Sequence, residues 1–253
     1  MKRNLLIALG IVAAIGFVAI AQSETAPLTG DEVFERTRAT WRGDSFHGIL
    51  ELDLVLSGQT KSHVLEVWTL GEDLTLIRIH EPIEDAGSGY LEADDKLYYY
   101  SPMLGSAIEL PAVALGQALF GSGPSLDDLS HGTLSDDYDV SVVAFSEGDN
   151  DGFFLTLIPH ADAPVVYGKL EIDISPDFVI REIVYYDQRD AVLQVAVFSD
   201  IVEIDGNPVP TTIAIADVSG DRTIQRVIDP EFNLDLDASF FTVEKLVGGE
   251  AGQ

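Results

Sequence analysis

Cysteine is absent from the 253-residue chain, which excludes disulfides, thiolate metal sites, iron–sulfur clusters and cysteine nucleophiles. Positive charge is scarce as well. Fourteen Lys and Arg stand against 43 Asp and Glu, and the formal net charge of −29 repels phosphate backbones and anionic lipid headgroups. Nucleic acid is therefore not an expected partner, and any lipid contact has to rest on apolar surface. Hydrolase motifs are also missing: there is no Gly-x-Ser-x-Gly elbow and no His-Glu-x-x-His, and His47, His63, His80, His131 and His160 are scattered singly. The acidic runs Asp136-Asp137-Tyr138-Asp139 and Gly148-Asp149-Asn150-Asp151-Gly152 offer oxygen ligands without EF-hand spacing. The reading is a non-enzyme with no catalytic residue, no cofactor and no metal.

What the chain does have is apolar content, 46% of its residues, enough to exclude a disordered protein. Lys2 and Arg3 precede the apolar run Leu5 to Ile20, which closes on the small-x-small pattern Ala19-Ile20-Ala21. The run is shorter than the roughly 20 residues that span a bilayer. Residues 1–21 read as a signal peptide cleaved after Ala21, leaving residues 22–253 as one exported domain. Cleavage removes Lys2 and Arg3 and none of the acidic side chains. No cysteine follows the cleavage site, so the mature chain has no acylated N-terminal anchor.

The segment from Leu28 to Thr37 is a helix start, with Thr29 or Asp31 as cap and acids at the positive end of the dipole; the helix runs to about Trp41 and stops at Gly43. From Phe46 the period changes to two, with Leu50, Leu52, Leu54 and Leu56 on one face. Further strands are expected at 63–70, 74–80, 89–93, 96–101, 138–145, 152–159, 167–174, 179–186, 191–201, 208–218 and 223–228. Turn chemistry separates them, as at Ser57-Gly58, Asp94-Asp95 and Asp205-Gly206. The pattern is one antiparallel meander of about 11 strands, interrupted between Leu110 and Asp137. There Pro111 to Phe120 suits a short apolar helix, and Ser125 to Leu129 a second one. Some strands, such as Leu74 to Ile79, are apolar on both faces and need a second layer or a ligand.

The stretch Leu76-Ile77-Arg78-Ile79-His80-Glu81-Pro82, then Gly87-Ser88-Gly89-Tyr90-Leu91, then Leu97-Tyr98-Tyr99-Tyr100-Ser101-Pro102, and finally Gly121-Ser122-Gly123-Pro124-Ser125-Leu126-Asp127-Asp128-Leu129 carries a resemblance. Together with Ile183 to Asp187 and Phe240 to Val243 it resembles the outer-membrane lipoprotein-sorting proteins of the LolA-like superfamily, in their larger periplasmic branch. Tyr98 stands where the family usually has Trp. Ala86 and the Gly105-Ser106-Ala107 stretch lack arginines common there, and Gly123-Pro124 replaces Asp-Phe. The resemblance implies a mostly β fold, an unclosed antiparallel barrel with helices over its open mouth. It also implies a periplasmic carrier or chaperone whose apolar cavity takes lipid or lipoprotein acyl chains. The partners it implies are an inner-membrane transporter or an outer-membrane acceptor.

The residues expected to line such a cavity are Leu52, Leu54, Trp68, Ile77, Ile79, Tyr90, Tyr98, Tyr100, Met103, Phe120, Phe153 and Leu157. Arg78, a cation in an apolar strand, is expected either to contact a lid loop or lipid ester or to pair with an acid. Alternation shows burial and does not say whether a side chain or a ligand fills the space. A second reading therefore stands beside the first: an interaction or sensor module with a self-filled pocket, bound to a membrane transporter or signalling complex. The strong negative charge favours a monomer.

Overall fold

The computed structural model describes residues 28–248 apart from 42, 72, 115–116, 118, 121–137, 146–150, 162 and 164–166. The expected signal peptide and the helix at 125–129 lie outside the described residues. Among those described, no helix is long and apolar enough to cross a membrane.

Helix α1 spans Gly30–Trp41 and begins with a reciprocal cap. The Thr29 hydroxyl accepts from the Glu32 amide at 3.2 Å, and the Glu32 carboxylate accepts from the Thr29 amide at 2.8 Å. This cap settles the choice between Thr29 and Asp31. Val33, Phe34 and Thr37 form the buried stripe of the helix.

Thirteen strands follow in one antiparallel sheet. The first six are β1 Ser45–Leu56, β2 Gln59–Leu70, β3 Leu74–Glu81, β4 Gly89–Ala93, β5 Lys96–Tyr100 and β6 Ile108–Leu110. The rest are β7 Tyr138–Phe145, β8 Gly152–Pro159, β9 Lys169–Ile174, β10 Ile180–Tyr186, β11 Val192–Ile204, β12 Asn207–Asp217 and β13 Arg222–Phe232. Helix α2, Val243–Gly248, closes the fold.

Two-residue turns with both central residues at positive φ join β1 to β2 (Ser57, Gly58), β4 to β5 (Asp94, Asp95) and β11 to β12 (Asp205, Gly206). Such turns match the twist of the strands they connect.

The order is β6-β5-β4-β3-β2-β1-β13-β12-β11-β10-β9-β8-β7. The chain is thus two meanders sewn together by β1 and β13, and the free edges β6 and β7 are neighbours in sequence. The sheet is an unclosed barrel, as expected, with 13 strands among the described residues where twelve segments were read. Strand β6 was missed because three residues are too few to display a period. Strand β13 continues past Pro230, because a bulge places Asp229 and Pro230 opposite Gly48, where a missing amide hydrogen costs little. The expected apolar helix at 111–120 is, in its described residues, a 3-10 turn at Ala112–Ala114 and a turn at Leu119–Phe120.

Two layers cover the sheet, one on each face. Val33 and Phe34 of α1 bury against Leu155, Leu157, Leu170, Ile172, Ile183 and Ile213 on the face called inner here. Leu246 of α2 and Phe241 bury against Trp68, Leu76 and Leu91 on the outer face. The doubly apolar strand β3 is explained by this second layer.

The glycines of the Gly87-Ser88-Gly89 motif have distinct duties. Gly87 takes φ 80°, a left-handed conformation that side chains resist. At Gly89 a Cβ would sit 2.3 Å from the Ile77 carbonyl oxygen and 3.1 Å from the Leu246 methyl. Its bare Cα leaves the space that α2 occupies.

Candidate functional site: the inner face of the half-barrel

Residues opposite one another in antiparallel pairs project to the same face, so strand register fixes the composition of the inner wall. Leu52 faces His63 of β2 and Gln225 of β13; Gln225 faces Ile213 of β12, and Ile213 faces Phe198 of β11. That row crosses five strands and joins the cluster under α1 to a second one. The second cluster is Leu50, Leu52, Leu65, Val67, Ile77, Ile79 and Leu97, against which Phe46, Tyr90, Leu110, Ala114, Leu119 and Phe120 pack. Ala114, Leu119 and Phe120 follow edge strand β6. They cover one half of the inner face as α1 covers the other.

Eight of the expected cavity residues share this face. Leu52, Leu54, Ile77, Ile79 and Leu157 are buried in it. Tyr90 is half-buried beside Tyr99 at 5.0 Å, and burial pushes its phenol up to about 12. Phe153 stacks on Phe178 at 5.4 Å. Phe120 lies over the His63 ring at 3.8 Å, tilted by 20°.

The remaining expectations are corrected. Trp68 pairs with Leu76, Leu76 with Leu91 and Leu91 with Tyr98, which puts Trp68 and Tyr98 on the outer face. Tyr100 joins them in the cluster under α2. Aromatic content gave these residues no sidedness; the pairing register did. Met103 is 93% exposed on the loop after β5 and lines nothing. Arg78 is buried on the outer face, where, among the described residues, it meets neither the 111–120 segment nor a carboxylate at ion-pair distance. Its Nη2 donates to the Lys245 carbonyl oxygen of α2 at 2.7 Å, and its guanidinium lies 5.8 Å from the Trp68 ring centre. Burial lowers its affinity for the proton, and the charge of Glu66 partly offsets this.

The structure adds residues that the sequence reading did not select. His63, Thr223 and Gln225 are buried polar groups on the apolar wall. His63 alternates with Leu65 and Val67 in β2, and that period alone could have flagged it. A concavity of about 640 Å³ opens at the rim between the end of α1 (Thr40), the β9–β10 turn (Pro176, Asp177, Phe178) and the β11–β12 hairpin (Ile201, Val202, Glu203, Gly206, Asn207, Pro208). None of the expected residues lines it, though Phe153 stands behind Phe178. Its size lies within the usual range for small-molecule sites.

On the outer face, His47 bridges Glu231 at 3.0 Å and Glu66 at 3.1 Å, and Glu66 reaches His80 at 2.8 Å. This chain of hydrogen bonds crosses β13, β1, β2 and β3 with no hydroxyl nucleophile in it. Of the acidic runs, Asp139 meets His160 at 3.3 Å, while residues 136–137 and 148–150 lie outside the described residues.

An unclosed antiparallel half-barrel with an apolar inner face under helical and loop cover defines the LolA-like fold. Three solved structures share it. A domain from Vibrio parahaemolyticus described as an outer-membrane lipoprotein-sorting protein superposes with a TM-score of 0.74 at 19% identity, over 86% of this chain and 98% of that one. A LolA superfamily protein from Nitrosomonas europaea gives 0.72 at 21% identity, over 85% and 98%. A DUF1329 family protein from Desulfovibrio piger gives 0.75 at 18% identity, over 86% and 97%. No curated protein matches the sequence. A family model whose description reads "-like: Uncharacterized protein" matches residues 71–247, and the chain belongs to that family.

Proposed function

We propose that this protein is a periplasmic, non-enzymatic carrier that binds acyl chains of lipids or lipoproteins on the inner face of its half-barrel. The observation that carries this reading is the largely apolar wall from Leu65 and Leu52 to Ile213 and Leu157, covered by α1 and by Leu119 and Phe120. Such a wall holds a hydrocarbon chain by burial, at about 0.8 kcal/mol per methylene, and needs no catalytic group. The groove at Phe178, Ile201 and Val202 serves as its entrance. The lipoprotein-sorting description of the Vibrio domain agrees with this cargo class. An inner-membrane transporter or outer-membrane acceptor would then supply or receive the cargo. A cleaved segment at 1–21 would deliver the chain to the periplasm, where it acts as a monomer.

One observation favours the second reading, an interaction or sensor module for a membrane transporter or signalling complex. The concavity of about 640 Å³ lies at the rim, while the wall beneath Phe120 is packed by the protein's own side chains. Native mass spectrometry of the mature protein from the periplasm, with organic extraction of bound material, separates the two. A stoichiometric lipid or acylated peptide is expected. An empty protein that takes up no fluorescent fatty acid would move the assignment to the interaction module.

A further inference from the structure

The inner wall is not uniformly apolar. His63 is 5% exposed, and its Nδ1 is buried with no hydrogen-bond partner among the described residues. Native proteins rarely leave a buried ring nitrogen unpaired, and a ligand that enters this wall is a natural partner for it. Phe120 covers the ring face, and Gln225, also buried, stands one strand beyond Leu52 on the same face. Adjacent strands lie about 4.8 Å apart, so the two polar groups are separated by about 10 Å across a leucine.

Resting on the acyl-binding reading, we infer that the inner wall selects acyl ligands with an uncharged, hydrogen-bonding head group such as an ester, held at the Nδ1 edge of His63. The acyl chain takes the place of Phe120 against the ring face and continues over Leu52, Leu65 and Ile79. An ionised carboxylate is disfavoured at this position for two reasons. Burial lowers the affinity of the imidazole for the proton, so at pH 8 it offers no counter-charge. The charges that His63 feels are those of Asp85 and Glu84, which repel an anion, against Lys61, which lies on an exposed stretch of β2. A hydroxyl ester can donate or accept and so satisfies either tautomer of the ring.

The test is calorimetric titration of the mature chain at pH 8 with laurate and with 1-monolauroylglycerol, both below their micelle concentrations. The wild type is expected to bind the monoester about tenfold more tightly than laurate, the order of discrimination one well-placed hydrogen bond supplies. His63→Leu is expected to narrow that ratio to less than about threefold, and His63→Gln, which keeps a hydrogen-bonding group, to restore most of it. Should His63→Leu fail to fold, Phe120→Ala decides: vacating the ring face is expected to tighten monoester binding, and unchanged or weaker binding overturns the assignment. Equal preference in wild type and His63→Leu, or tighter laurate binding by the wild type, overturns the role of His63 and leaves acyl binding standing. A wild type that binds neither probe overturns the acyl-binding reading itself.

Discussion

The Arg78 guanidinium donates to the Lys245 carbonyl oxygen at 2.7 Å, and this bond fastens the C-terminal helix to the outer face of strand β3. The residues are far apart in sequence, and both partners are sheltered from water. Replacing Arg78 with Ala removes a charge-assisted bond and the approach of its guanidinium to the Trp68 ring. Stability is expected to fall by about 2–3 kcal/mol in urea unfolding. Amide exchange should accelerate in α2 more than in α1, which no bond from Arg78 reaches.

Gly89→Ala tests the close approach of strand and helix. Its methyl group would meet the Ile77 carbonyl, a backbone atom that cannot swing aside. A loss of about 2 kcal/mol is expected, measurable by thermal unfolding. At Gly87 the nearest atom is the Pro102 ring at 3.2 Å and the obstacle is the positive φ, so Ala there should cost about 1 kcal/mol.

Phe34 anchors α1 over the inner face. Phe34→Ala leaves a void against the cluster of Leu155, Ile172 and Ile183 and is expected to cost about 3 kcal/mol. Binding of a hydrophobic dye by the folded variant should rise as the inner wall opens.

Asp53 clamps three strands, accepting from Arg226 of β13 at 2.9 Å and from Ser62 of β2 at 2.7 Å. The Arg226 bond first, then the Ser62 bond, holds its carboxyl below the ordinary aspartate value of 3.8. A depressed folded-state pKa gives stability that is complete above the unfolded value and is lost as pH falls through the folded one. Asp53→Asn is expected to cost about 1 kcal/mol at pH 7, modest because Arg226 is 39% exposed. The gap from wild type should close below about pH 4, as urea midpoints across pH 2–7 would show.

The rim groove is tested at Ile201, which is 49% exposed, so a charge there should leave folding within about 0.5 kcal/mol of wild type. Ile201→Asp is expected to slow uptake of a fluorescent fatty acid about tenfold, the order set by placing a charge in an apolar entrance. Uptake at the wild-type rate would remove the groove from the entry path.

The local features of this fold were legible because their causes are local. Alternation in Leu50, Leu52 and Leu54 marks a half-buried strand wherever that strand ends up, and Ser57-Gly58, Asp94-Asp95 and Asp205-Gly206 turn the chain by their own backbone preferences. Thr29 and Glu32 cap a helix with atoms three residues apart. Sidedness was legible only in part. Leu52, Ile77 and Leu157 were expected on the cavity wall and lie on the inner face, whereas Trp68, Tyr98 and Tyr100, expected there too, lie on the outer face, because period two separates the faces of one strand without saying which face meets the next.

That choice belongs to long-range pairing. The sequence by itself determined every described strand but β6, the turns and the first helix. The tertiary structure decided that β1 pairs with β13 and that α2 covers the outer face while α1 and Phe120 cover the inner one. The same pairing left His63 buried on an apolar wall. Contacts between residues more than 150 positions apart depend on register summed over many strands, and a one-residue slip in any pairing would exchange the two faces.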